Sequence, residues 1–120
     1  MIKIVVGGQI DKELVASIAR KAAGEKAVVE VKGDIEAAMA VKTGQADYYL
    51  GACNTGGGGA LAMAIALLGM GQCSTVSMPG KIRSNEEIIQ EVKSGKKAFG
   101  FTPQHAETVI PVIINTIING

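Results

Sequence analysis

Short apolar runs alternate along this chain with longer segments whose apolar residues recur every three or four positions, and glycines and prolines punctuate the series. Ile2 to Val6 opens it as a strand candidate, followed by Gly7-Gly8-Gln9. Lys12 to Ala23 then sets Leu14, Val15, Ile18 and Ala22 on one helical stripe, with Asp11 as cap and Gly24 as stop. Ala27 to Val31 predicts a second strand, and Ile35 to Lys42 a second helix between Asp34 and Gly44. Asp47 to Leu50 leads into a third strand that ends at Cys53-Asn54-Thr55-Gly56-Gly57-Gly58-Gly59. Ala60 to Leu68 follows as a helix without a single charge.

Gln72 to Met78 predicts a fourth strand, closed by Pro79-Gly80. Ser84-Asn85-Glu86-Glu87 has the offset of a capping box for a helix through Val92. Lys97 to Phe101 is the fifth strand, and Thr102-Pro103 starts the last helix, with Pro111 inside it. Five strand–helix pairs predict a single α/β domain over residues 1–120: a three-layer, flavodoxin-like or related doubly wound sheet of about five predominantly parallel strands. The first expected strand order is 2-1-3-4-5, with a mixed sheet or another order open. Ala60 to Leu68 and the isoleucine-rich last helix are too apolar for ordinary solvent-facing helices. Homo-oligomerisation is the favoured reason, with burial inside the domain and membrane association as alternatives.

Composition narrows the partners. Only 3% of residues are aromatic, so the core rests on aliphatic and alanine packing. Twelve basic against eleven acidic residues give a net charge of +1, without the clustered cations or stacking aromatics of a nucleic-acid surface. The longest apolar run is too short to cross a bilayer, which excludes membrane insertion. The absence of a leader pattern points to the cytoplasm. Cys53 and Cys73 suggest neither a disulfide framework nor a metal site, so no metal is expected.

In a parallel sheet the loops at the strands' carboxyl ends converge on one edge. That edge collects Gly7, Gly8 and Gln9, Gly33 and Asp34, Cys53, Asn54, Thr55, the glycines Gly56, Gly57, Gly58 and Gly59, the run from Ser77 to Lys81, and that from Thr102 to His105, with Arg83 as a further rim residue. The glycine run can turn several N–H groups toward a phosphate, a carboxylate or a small polar metabolite, assisted by the following helix terminus. It can equally serve close packing. It lacks the Lys-Ser/Thr of a P-loop, and Gly7-Gly8-Gln9 lacks the dinucleotide spacing, so no nucleotide or other cofactor is expected. Cys53 is either a thiolate beside an electropositive loop or a small core residue, while Cys73 is structural. His105, the sole histidine, is either a proton donor at the same edge or an exposed first-turn residue. Gln9 and Asn54 divide between ligand contact and loop bonding, Ser77, Lys81 and Arg83 between pocket rim and solvent, Thr102 between ligand contact and capping. Asp11 and Asp34 read as helix caps, with acid–base roles as the alternative.

Lys3-Ile4-Val5-Val6-Gly7-Gly8, Gly51-Ala52-Cys53-Asn54-Thr55-Gly56-Gly57-Gly58-Gly59-Ala60 and Gly100-Phe101-Thr102-Pro103-Gln104-His105 together resemble a small bacterial family of uncharacterised, glycine-rich proteins, over nearly the whole length. The resemblance implies no activity or catalytic residues. Three readings stand. The first is a protein that binds a small anionic metabolite, as a sensor or accessory component. The second is an isomerase or lyase for a phosphorylated or carboxylated small molecule, with Cys53 or His105 moving a proton. The third is a structural oligomer without catalysis.

Overall fold

A computed structural model of the chain describes residues 1–119. Its element order is β1 (Ile2–Gly8), α1 (Lys12–Ala23), β2 (Ala27–Val31), α2 (Asp34–Lys42), β3 (Tyr48–Ala52), α3 (Gly58–Leu68), β4 (Cys73–Thr75), β5 (Ser77–Met78), β6 (Lys81–Ile82), α4 (Asn85–Lys93), β7 (Ala98–Phe101) and α5 (Ala106–Asn119). Five parallel strands form the central sheet in the order β2-β1-β3-β7-β4. The doubly wound α/β reading is therefore correct.

The expected order needs one correction: in chain order the sheet runs 2-1-3-5-4, because β7 enters between β3 and β4. Side chains explain the exchange. β7 is Ala-Phe-Gly-Phe and wholly buried, which requires neighbours on both sides. β4 is only Cys-Ser-Thr, short and polar as edge strands commonly are. The predicted strand from Gln72 to Met78 also breaks in two. Buried Val76 donates its N–H to Gly100 O, and the chain then leaves the sheet as the antiparallel β5–β6 hairpin around Pro79-Gly80.

Alternation along the strands feeds two cores. Ile4, Val6, Leu50, Phe99 and Phe101 face α1, α4 and α5, while Val5, Tyr49 and Ala98 face α2 and α3. Right-handed crossovers account for this division: the chain steps one way across the sheet after β1 and β4, and the other way after β2 and β3. The last helix is apolar because α1 and α4 flank it, with Val109, Ile110, Ile113 and Ile114 wholly buried. Burial within the fold accounts for this stripe of α5, while Val112, Ile117 and Ile118 are partly buried.

Of the expected caps one forms as read and two differ, and the last helix opens at Ala106 after a short 3-10 turn over Pro103–His105. Ser84 Oγ accepts from Glu87 N–H (3.2 Å) and Glu87 Oε1 accepts from Ser84 N–H (3.1 Å), completing the capping box. Asp11 occupies the cap position of α1 in a left-handed conformation (φ 53°), but its side chain makes no cap bond. Gly33 takes the cap position of α2, and Asp34 is its first helical residue. No described helix is long and apolar enough to cross a membrane.

Candidate functional site

β1 and β3 are neighbours whose chains part at their carboxyl ends, one toward α1 and the other toward α3 on the opposite face. A parallel sheet opens a crevice at such a divergence. The two loops are tied together at its mouth, where Gln9 N–H and Ile10 N–H both donate to Ala52 O (3.1 and 3.3 Å).

The floor is polar and fully bonded. Gly8 N–H donates to Tyr49 Oη (2.9 Å) and to Asp34 Oδ1 (3.1 Å). The Tyr49 hydroxyl is also within hydrogen-bond reach of Asp34 Oδ1 and of Ala60 O (2.6 Å); with one proton it serves one of them at a time. Burial, then the bond and charge of Asp34, hold the Tyr49 phenol protonated far above its ordinary range. The sequence marks Asp34 as a helix cap, with an acid–base role as the alternative, and places Tyr49 only within the third strand. The available signal was a pair of tyrosines opening an otherwise apolar strand, since a buried phenol needs a polar partner.

The glycine run divides into two pairs with different duties. Gly56 lies at φ 85°, and a methyl group there would collide with the backbone oxygen of Ser77. At Gly57 it would collide with Thr75 Oγ1. These two let the loop lie against the start of the hairpin, and they support the packing role. Gly58 and Gly59 are already helical, opening α3 two residues earlier than the sequence suggested. A Cβ at Gly59 would stand 2.5 Å from Gln9 Oε1, so the Gln9 side chain lies over the first turn of α3. Among the described residues, the N–H groups of Gly57 and Gly58 carry no hydrogen bond.

Cys53 sits under this turn, 3% exposed. Its N–H donates to Phe101 O (3.2 Å), and its Sγ is 3.2 Å from Thr55 Oγ1. Burial pushes the thiol up. The bond with Thr55 Oγ1 and the N–H groups of Ala60, Thr55 and Gly59 directed at the sulfur more than offset this, leaving the pKa below the ordinary thiol value. Part of the positive end of α3 is thus spent on the chain's own sulfur. Cys73, on the edge strand, differs: burial raises its pKa and Lys96 only partly opposes this. Asn54 and Thr55 form the exposed turn above Cys53.

Thr102 follows β7, one position beyond the Ala52–Phe101 register pair, and so stands next to Cys53 across the sheet edge. Its N–H donates to the buried Ser77 Oγ (3.1 Å), and its Oγ1 lies 2.8 Å from His105 Nδ1. No hydrogen bond joins Cys53 to His105 among the described residues. Lys81 and Arg83 gather elsewhere, with Ser77, around a cavity of about 210 Å³ beneath the hairpin that no residue of the glycine loop lines. Arg83 is engaged there, donating from Nε to Thr75 O (2.9 Å) and pairing with Glu91 (3.5 Å). Among the described residues no group of three or more His, Cys, Asp or Glu side chains is placed to hold a metal ion.

Residues 2–117 match the family described as "Protein of unknown function DUF2620", and the chain belongs to that family. It is similar to "Uncharacterized protein YhfU" of Escherichia coli (strain K12) and to the Shigella flexneri protein of the same description. Each is 44% identical over 115 residues, which is 96% of this chain and 97% of the relative. No solved structure matches the chain. The resemblance to an uncharacterised bacterial family is correct at that level, and the match says nothing specific about glycine content.

Proposed function

We propose that this chain is a cytoplasmic, self-associating protein that binds a small anionic metabolite in the crevice between β1 and β3, as a sensor or accessory component. The observation that carries the reading is the convergence of Gln9, Asn54, Thr55 and the free N–H groups of Gly57 and Gly58 around the first turn of α3. A helix terminus supplies at most about 2 kcal/mol, equivalent to a dissociation constant of roughly 30 mM. Inorganic phosphate alone therefore binds weakly. A natural ligand gains its affinity from additional contacts with Gln9, Asn54 and Thr55. Ser77 and Thr102 support the adjoining loop, while Lys81 and Arg83 act on the hairpin side.

Cys53 makes the reading testable because its thiolate and a bound anion compete for one positive field. By linkage, an anion that raises the Cys53 pKa must itself bind more weakly as Cys53 ionises. The experiment is the pH profile of Cys53 alkylation by iodoacetamide, followed by peptide mass spectrometry, with and without inorganic phosphate or acetate at constant ionic strength. Either anion at about 100 mM is expected to slow Cys53 alkylation several-fold and move its midpoint to higher pH, leaving Cys73 unchanged. A Cys53 profile that neither anion changes from the anion-free one would sink the proposal.

The lowered Cys53 pKa also favours a second reading, isomerase or lyase chemistry on a phosphorylated or carboxylated small molecule. There Cys53 acts as the base, and His105, held at Nδ1 by Thr102, keeps its other ring nitrogen for a substrate. Solvent deuterium incorporated into a candidate substrate by the native chain, but not by Cys53→Ala, distinguishes it from binding alone.

A further inference from the structure

Helices on one side of this molecule carry charge to solvent: α1 shows Glu13, Arg20 and Lys21, and α4 shows Glu86, Glu87 and Lys93. The α2–α3 layer carries less: α2 exposes only Glu36 and Lys42, toward its two ends. Helix α3 has no charged residue, yet only Ala60, Leu61 and Ala64 of it are buried. Ala62 and Ala66 are exposed one turn apart, and neighbouring α2 exposes Ile35 (60%) and Met39 (40%). Met70, just beyond α3, is 73% exposed. Leu14, Val28, Met78 and Ile82 are exposed elsewhere, but here the exposed Ile35 and Met39 adjoin a helix without charge, and contiguous apolar surface of this kind marks an interaction site.

We propose that two copies of this chain join through the α2–α3 face, about a two-fold axis that runs the helices of one copy antiparallel to those of the other. A two-fold contact uses the same patch twice, so the patch must complement itself. This one does. Its centre is uncharged, and the exposed charges of α2 are Glu36 near the amino end and Lys42 at the carboxyl end. An antiparallel arrangement sets Glu36 of each copy against Lys42 of the other. Ala62 and Ala66 allow close approach of the helix axes, at about 8 Å. Two helices of nine and eleven residues give a footprint of roughly 16 by 20 Å. That is below the standard size of a specific interface and in the range of weak, transient association, so the expected dissociation constant is on the order of 100 µM.

This locates the self-association included in the proposed function, and its tests read mass rather than ligand, so either can fail alone. Sedimentation velocity of the full chain from about 1 to 200 µM is expected to show a monomer–dimer equilibrium. Ala66→Arg is expected to be monomeric throughout, with an unchanged circular dichroism spectrum. Glu36→Lys should weaken the dimer about tenfold, and adding Lys42→Glu to it should restore the native constant. In the native chain, amide exchange along α3 should slow as concentration rises, which needs no variant. A native chain that stays monomeric at every concentration overturns the proposal and leaves the face to another protein. Ala66→Arg dimerising as tightly as the native chain overturns it as well. Failure of the double exchange to recover affinity overturns the antiparallel pairing.

Discussion

At the scale of single residues, the glycine run shows that four identical residues can do unlike work. Gly56 combines a positive φ with contact against Ser77 O, so Ala there meets both left-handed strain and a backbone collision. The expected cost of Gly56→Ala is about 2–4 kcal/mol, read as a fall in melting temperature on the order of 10 °C. Gly59 is different. It is helical, and the atoms a methyl group would meet belong to the end of Gln9, an exposed side chain that can swing away. Replacing a helical glycine by alanine gains up to about 1 kcal/mol. Gly59→Ala is therefore expected to melt at or slightly above the native temperature while displacing Gln9 from the crevice. A fall at Gly59 matching that at Gly56 would contradict this division.

At the scale of elements, the capping box of α4 gives a sign-definite pH dependence. The Ser84 N–H, accepted by the Glu87 carboxylate, holds that group below its ordinary range. A carboxylate with a depressed native pKa stabilises fully above its unfolded value of about 4.3, and that contribution is lost as pH falls through the native value. Ser84→Ala should cost about 0.5–2 kcal/mol at pH 7. Glu87→Gln, which keeps the side-chain shape but cannot ionise, should flatten the decline in stability below about pH 4.3, measured by urea denaturation at successive pH values. An unaltered acid limb would remove Glu87 from the account.

The box was legible because Ser and Glu at that offset describe a complete local bond pattern. Strands β1, β2, β3 and β7 and the stops at Gly24 and Gly44 were legible for the same reason: their causes lie within a few residues. The insertion of β7 between β3 and β4 was not, since it depends on which strand can best tolerate an edge. Nor was the Asp34–Tyr49–Gly8 floor, whose members come from three elements and meet only after the sheet has formed. The convergence of loops at the carboxyl edge followed from the parallel sheet alone. The separation of Lys81 and Arg83 from the glycine loop followed from a hairpin that strand-like residues 72–78 concealed.

At the scale of the whole molecule, the order β2-β1-β3-β7-β4 binds the two cores into one unit. β7 closes the sheet by joining β4, from the middle of the chain, to β3. Every interior strand contributes side chains to both faces, so neither helical layer can dissolve without exposing strands that the other needs. Unfolding should then be two-state, as is usual for chains of this length. Tryptophan is absent and both tyrosines lie in β3, so tyrosine fluorescence reports on the centre of the sheet, whereas far-ultraviolet circular dichroism reports on the helices of both layers. The two probes should trace one urea transition. Ile110→Ala on the α5 side and Leu61→Ala on the α3 side remove wholly buried side chains, each at a cost of about 2–5 kcal/mol. Each should move both probes together to lower urea without changing the slope. A Leu61→Ala chain whose helical signal falls in two steps, with fluorescence following only the second, would mean that the α2–α3 layer opens alone and that β7 does not couple the faces.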